Sequence, residues 1–177
     1  MSHSPYLWTR EAYCQLIDQG VFLEGPNVEL IEGEILILPP QGRDHICGVS
    51  FPNTVLVRLF GDTHLIRVQC DLGLGLDSQP QPDFVLSPLT DFDRADLVIE
   101  VSQTSLSFDR NRKSRLYARN GVQEYWIVNL PGEVVEVRRQ PEGDRFRQVR
   151  LCRPEESVRP LFAPEVEVPL RAFFLKA

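Results

Sequence analysis

Apolar positions fall in short runs along this chain, and their period changes from one run to the next. Trp8–Gly20 (WTREAYCQLIDQG) predicts a short helix that Thr9 can cap, with Glu11 in its first turn and Gly20 ending it. Glu29–Leu38 (ELIEGEILIL) predicts a hairpin turning near Glu32-Gly33 and stopped by Pro39-Pro40. Asp44–Phe60 carries Ile46, Val49, Val55, Leu56, Leu59 and Phe60, a helical spacing in which Pro52 must be absorbed near the start or as a kink. His64–Gln69, Pro82–Ser87, Ala95–Ser102 and Val122–Asn129 are apolar, β-branched runs bounded by Gly, Pro, Asp or Asn, as expected of strands buried on at least one face. Between the last two, Leu106–Asn120 predicts a helix stopped by Gly121. Pro131-Gly132 turns into a strand at Glu133–Arg139, with Arg145–Leu151 as its partner. Pro154, Pro160, Pro164 and Pro169 punctuate a C-terminal segment expected to wrap the core.

This order predicts an α/β (α+β) fold: a central mixed β-sheet flanked by helices, with an N-terminal helix and hairpin. No repeat or low-complexity segment interrupts it, and 177 residues suit one domain spanning 1–177. No apolar stretch is long enough for a membrane span, and the first residues lack the pattern of a secretory signal. Cys14, Cys47, Cys70 and Cys152 include no C-x-x-C pair and are expected as reduced thiols, which predicts a cytoplasmic protein.

Charge changes the picture through its distribution. The net charge is −6, which argues against a domain that coats nucleic acid non-specifically. Residues 1–109 hold 16 acids and 5 bases, whereas residues 110–177 hold 9 acids and 14 bases. Such asymmetry either sets a basic rim beside an acidic pocket or reflects two solvated faces.

Two carboxylates stand inside apolar strands: Asp83 in PDFVLS and Glu100 in ADLVIEVS. A carboxylate there is costly to bury unless it is paired, hydrogen-bonded or bound to metal. If the two strands are neighbours the carboxylates meet, and their repulsion raises a pKa unless a cation lies between them. A magnesium-type ion satisfies this arrangement; so does Asp83 capping a turn while Glu100 pairs with an arginine. At about 100° per residue, Leu106, Asp109, Lys113, Leu116 and Tyr117 share the helix face that should meet the sheet, with Arg112, Arg115 and Arg119 opposite. Lys113 is one of only two lysines beside 17 arginines. Unlike arginine, a partly buried lysine can shift its pKa and orient a water. Its simpler role is an i, i+4 pair with Asp109.

The segments ELIEGE (29–34), RVQ (67–69), QPD (81–83), DLVIEVS (96–102), FDRNRKSRLYARNGVQEYWIV (108–128) and LRAFF (170–174) together resemble a bacterial domain-of-unknown-function family. That family is described as putative restriction endonucleases and falls within the PD-(D/E)XK nuclease superfamily. The resemblance implies a restriction-endonuclease-like core and metal-dependent hydrolysis of DNA phosphodiesters with Mg²⁺ or Mn²⁺. Asp83 and Glu100 would be the metal ligands. The superfamily's lysine position after Glu100 is Ser102, and the family is similar to one in which that lysine has moved to the next helix, at Lys113. Glu29, from the ELIEGE segment, and Gln69 are additional candidates. Arg110, Arg112 and Arg115, with Arg119, Arg138, Arg139, Arg145 and Arg147, are candidate phosphate contacts or a solvated face. Many relatives carry Asp where this chain has Asn129.

A non-catalytic nuclease-fold module that binds DNA or a protein partner is the alternative. A homodimer is expected if two strands are cut. A zinc site from the cysteines with His3, His45 and His64 lacks paired ligand spacing, and no G-x-S-x-G points to a serine hydrolase.

Overall fold

The computed structural model describes residues 5–176, so His3 lies outside the described residues. The chain divides into two compact units, one formed by residues up to Pro40 with Asp71–Gln81, the other by Gln41–Cys70 with Pro82–Ala177.

The first unit holds helix α1 (Arg10–Asp18) and a hairpin of β1 (Val28–Ile31) and β2 (Glu34–Ile37). Thr9 caps α1 as expected, its hydroxyl accepting from the Ala12 N–H. Glu32 (φ 53°) and Gly33 (φ 81°) both take the left-handed conformation, as a two-residue hairpin turn demands. The hairpin is therefore four residues a side rather than five. Its small core is Tyr13, Val28 and Leu30, with Trp8, Phe22 and Ile35 against it.

The second unit is built on a six-stranded mixed sheet in the order β3-β4-β5-β6-β7-β8. These strands are His64–Val68, Phe84–Pro88, Leu97–Ser102, Glu124–Asn129, Val134–Glu142 and Arg145–Cys152. Only β5 and β6 run parallel, joined by a helical crossover; the other neighbours are antiparallel. Both central strands are buried along their whole length, which is why they read as nearly unbroken apolar runs.

Alternation sorts the sheet into two faces. Phe84, Leu86, Leu97, Ile99, Val101, Trp126 and Val128 pack against Val49, Leu56 and Phe60 of α2 (Arg43–Phe60). Val158, Ala163, Val168, Leu170 and Phe173 join this core, so the proline-punctuated tail does wrap it, through a short β9–β10 pair (Ser157–Val158, Val168–Pro169) and a 3₁₀ turn at Leu170–Phe174. Pro52 sits inside α2, and Gly48 lets the helix approach β5. A Cβ at Gly48 would lie 2.9 Å from Val101 Cγ1.

The crossover helix α3 lies against the opposite face. It is α-helical at Leu106–Phe108, widens to a π turn over Asp109–Lys113, and resumes as α-helix at Ser114–Arg119. Its expected inward stripe is mostly buried at Asp109, Lys113, Leu116 and Tyr117, whereas Leu106 is only half-buried. The π turn is the departure from the regular helix that a single 100° period predicts. Asn129, at the end of β6, accepts from the Gly132 N–H at 3.0 Å and holds the turn into β7.

Candidate active site

The face under α3 carries polar side chains where the other face carries apolar ones. Asp83 directly precedes β4. Continuing the register Phe84↔Ile99 by one residue sets it across from Glu100. Alternation turns both away from the α2 core, and both are buried, at 6% and 5% exposure. The two carboxylates singled out in the sequence thus stand on one face of neighbouring strands.

Three donors hold Asp83. His45 Nε2 and Gln69 Nε2 each lie 3.0 Å from Oδ1, and the Val101 N–H donates to Oδ2 at 2.7 Å. Gln69 follows β3 with φ 51°, in the left-handed region that non-glycine residues seldom occupy. Its main-chain N–H donates to the Asp83 carbonyl at 3.1 Å. Both contacts aim Gln69 at Asp83, and such strain, of order 1–3 kcal/mol, persists only where surrounding contacts impose it.

Glu100 is held from the helix. Lys113 Nζ lies 3.0 Å from Glu100 Oε1 and the Tyr117 hydroxyl donates to the same oxygen at 2.7 Å. Lys113 and Tyr117 are four residues apart on one helix face, so a single carboxylate can meet both. Asp109, at the start of the π turn, accepts from the Ser102 and Ser105 hydroxyls, each at 2.6 Å. Ser102 therefore fills the strand position of the superfamily's lysine with a hydroxyl tied to the helix. Lys113 supplies the cation from above.

Electrostatics follow from this crowding. Burial pushes the Asp109 carboxyl up, although the Lys113 cation and the two serine hydroxyls pull it back; the Asp83 charge adds to the rise. For His45, burial alone would lower the pKa. The hydrogen bond to Asp83 and that carboxylate's charge, with the Val101 backbone and Asp109, outweigh burial and leave it raised above 6.5.

Glu29 belongs to the first unit. It lies in β1, 2% exposed, and its Oε2 accepts from the Gln81 N–H at 3.2 Å. Arg110 pairs with buried Glu136 at 2.5 Å, and Arg138 takes the other oxygen of that carboxylate. Arg139 pairs with buried Glu124. Arg112 is half-buried beside the Phe108 ring, and Arg115 is exposed. Sequence reasoning missed His45 altogether, because nothing in its own segment links it to a carboxylate 38 residues away. Tyr117 was legible as a member of the inward stripe, but not as a donor to Glu100.

Among the described residues, no group of three or more His, Cys, Asp and Glu side chains is arranged to hold a metal ion. All four cysteines are free. The second unit offers a pair of buried carboxylates on one sheet face. Magnesium commonly takes one or two protein carboxylates and completes its shell with water and phosphate oxygens, so this donor set fits a hard divalent ion in kind and number.

The fold recurs in a solved structure described as a putative nuclease belonging to DUF820 from Anabaena variabilis, with a TM-score of 0.71 and 22% identity over 94% of this chain and 97% of that one. A second similarity, to the type IIG restriction endonuclease BpuSI, has a TM-score of 0.44 and 16% identity, covering 66% of this chain and 14% of that enzyme. No curated protein matches the chain. Among the described residues, no helix is long and apolar enough to cross a membrane. The Uma2 family, described as putative restriction endonucleases, matches residues 10–171, and this chain belongs to it.

Proposed function

We propose that residues 1–177 act as one cytoplasmic nuclease domain, a metal-dependent endonuclease that hydrolyses DNA phosphodiester bonds. The observation that carries this reading is the convergence of Asp83, Glu100 and Lys113 on one sheet face, with Lys113 Nζ 3.0 Å from Glu100 Oε1. Family membership supports the reaction class.

Asp83 and Glu100 would hold Mg²⁺ or Mn²⁺. When bound, the ion polarises the phosphate and acidifies a coordinated water. The chain's own residues supply the rest. Asp83 is fixed by Gln69, His45 and the Val101 N–H, so its carboxylate does not reorganise as substrate arrives. Tyr117 and Lys113 fix Glu100 in the same way. Lys113 brings a positive charge to the face where the phosphate would bear developing negative charge, and its ammonium can orient the attacking water. Arg112 and Arg115 are the phosphate contacts this reading favours, since Arg110 is engaged with Glu136. Glu29 is a further acidic candidate from the first unit.

The test is cleavage of plasmid and single-stranded DNA with Mg²⁺ or Mn²⁺ by the wild type beside Asp83→Asn, Glu100→Gln and Lys113→Met. Chelator-sensitive cleavage lost in all three folded variants supports the proposal. DNA binding with no cleavage under either ion, unchanged in the variants, would replace it with the non-catalytic binding module.

A further inference from the structure

His45 plays no part in the reading reached from sequence, yet it touches one of the two carboxylates that reading depends on. It stands in the first turn of α2, on an element that otherwise serves the apolar core, and reaches the other end of the site's first strand. Its Nε2 is 3.0 Å from Asp83 Oδ1, and the same oxygen is 3.0 Å from Gln69 Nε2. The His45 side chain keeps 15% exposure and that of Asp83 keeps 8%, so the contact is sheltered but within reach of a solvent ion.

In an octahedral shell with metal–donor bonds of about 2.1 Å, neighbouring donors stand about 3.0 Å apart. The His45–Asp83 spacing equals that edge. It also suits a hydrogen bond, so the distance permits both arrangements, and the chemistry of the two atoms points to one. Imidazole nitrogen is the commonest protein ligand for transition metals, and Asp83 supplies the adjoining carboxylate oxygen. A nitrogen donor is a poor match for magnesium and a better one for first-row transition ions.

We infer that His45 is a metal ligand, binding through Nε2 beside Asp83, and that it biases the centre toward Mn²⁺ over Mg²⁺. The inference rests on the nuclease reading only in taking Asp83 as a ligand. It adds a residue, a donor atom and a metal preference.

The experiment is pulsed EPR of the full chain loaded with substoichiometric Mn²⁺, without DNA, using wild type, His45→Ala and protein labelled with ¹⁵N-histidine. The expected result is ¹⁴N modulation in wild type, moved to ¹⁵N frequencies by the label, retained in His64→Gln and His3→Gln, and lost in His45→Ala. Mn²⁺ affinity should fall at least about tenfold in His45→Ala, with a smaller loss for Mg²⁺. Where His45→Ala fails to fold, the label and the two control substitutions still assign the ligand. Bound Mn²⁺ with no histidine nitrogen coupling overturns the inference while leaving the nuclease reading standing. Failure of the wild type to bind Mn²⁺ at all overturns the inference together with the metal-dependence of that reading.

Discussion

Replacing Lys113 by methionine removes one charge from a buried pair and leaves the other behind. Both side chains of the Glu100–Lys113 pair keep only 6% exposure. Without the lysine, Glu100 Oε1 retains the Tyr117 hydroxyl at 2.7 Å, a bond that stabilises a carboxylate by about 1.5–3 kcal/mol but does not neutralise it. Breaking a buried ion pair by removing one partner costs about 3–5 kcal/mol. With Tyr117 still in place we expect Lys113→Met to lose about 3 kcal/mol, a large share of the 5–15 kcal/mol typical of a folded domain. Glu100→Gln, which strands the cation, should cost a similar amount. The double variant carries neither charge and should be far less damaged than the sum of the singles, with a coupling of about 2 kcal/mol or more. Urea unfolding followed by the fluorescence of fully buried Trp126 measures all four proteins, provided the slope against denaturant stays constant. Singles that each cost under about 1 kcal/mol, or a double variant equal to their sum, would refute the reasoning that this pair is energetically buried and coupled.

Three further outcomes follow from the same coordinates. Gly48→Ala would force a Cβ to 2.9 Å from Val101 Cγ1 across the α2–β5 contact, and thermal unfolding should register a loss of about 1–3 kcal/mol. The Asp109 carboxyl is raised above its ordinary 3.8, so the folded state binds more protons than the unfolded chain between that value and the raised one, and wild-type stability falls as pH climbs through this window. Asp109→Asn should lack that slope, gaining on the wild type in unfolding series run upward from about pH 4; a pH-independent difference would count against the buried carboxylate. Arg115 is exposed, whereas Arg110 is held by Glu136, so Arg115→Ala should flatten the salt dependence of DNA affinity by about 0.9 in the logarithmic slope and Arg110→Ala by much less.

Much of the fold was legible because its elements obey simple periods. The hairpin turn at Glu32-Gly33, the Thr9 cap and the buried run of β5 each follow from local chemistry. So do the three principal site residues. Asp83 and Glu100 stand out as carboxylates in strands, and Lys113 as a cation on an inward helix face. What escaped has one physical cause, which is contact across long sequence separations. His45 meets Asp83 only because α2 and β4 belong to the same packed unit, and no pattern near His45 announces it. The π turn escaped for another reason. Its five residues, DRNRK, are ordinary helix formers, and the widening answers to what Asp109 and Lys113 must touch below them.

That turn bears on which changes in length the chain can absorb. In an E-x-K strand motif the backbone itself sets the spacing, since alternate residues share a face. Here thirteen residues separate Glu100 from Lys113, and the helix's angular phase does the aligning. Removing one residue from Asp109–Lys113 would convert the π turn to regular α-helix and swing every later side chain by about 100° around the axis. Tyr117, Leu116 and the entry into β6 would all be misdirected at once. The loop at 103–105, by contrast, only delivers the chain to the helix, and its length can drift as long as the helix docks in the same rotation. Across relatives, the separation between glutamate and lysine is therefore free to vary ahead of the helix and fixed within it.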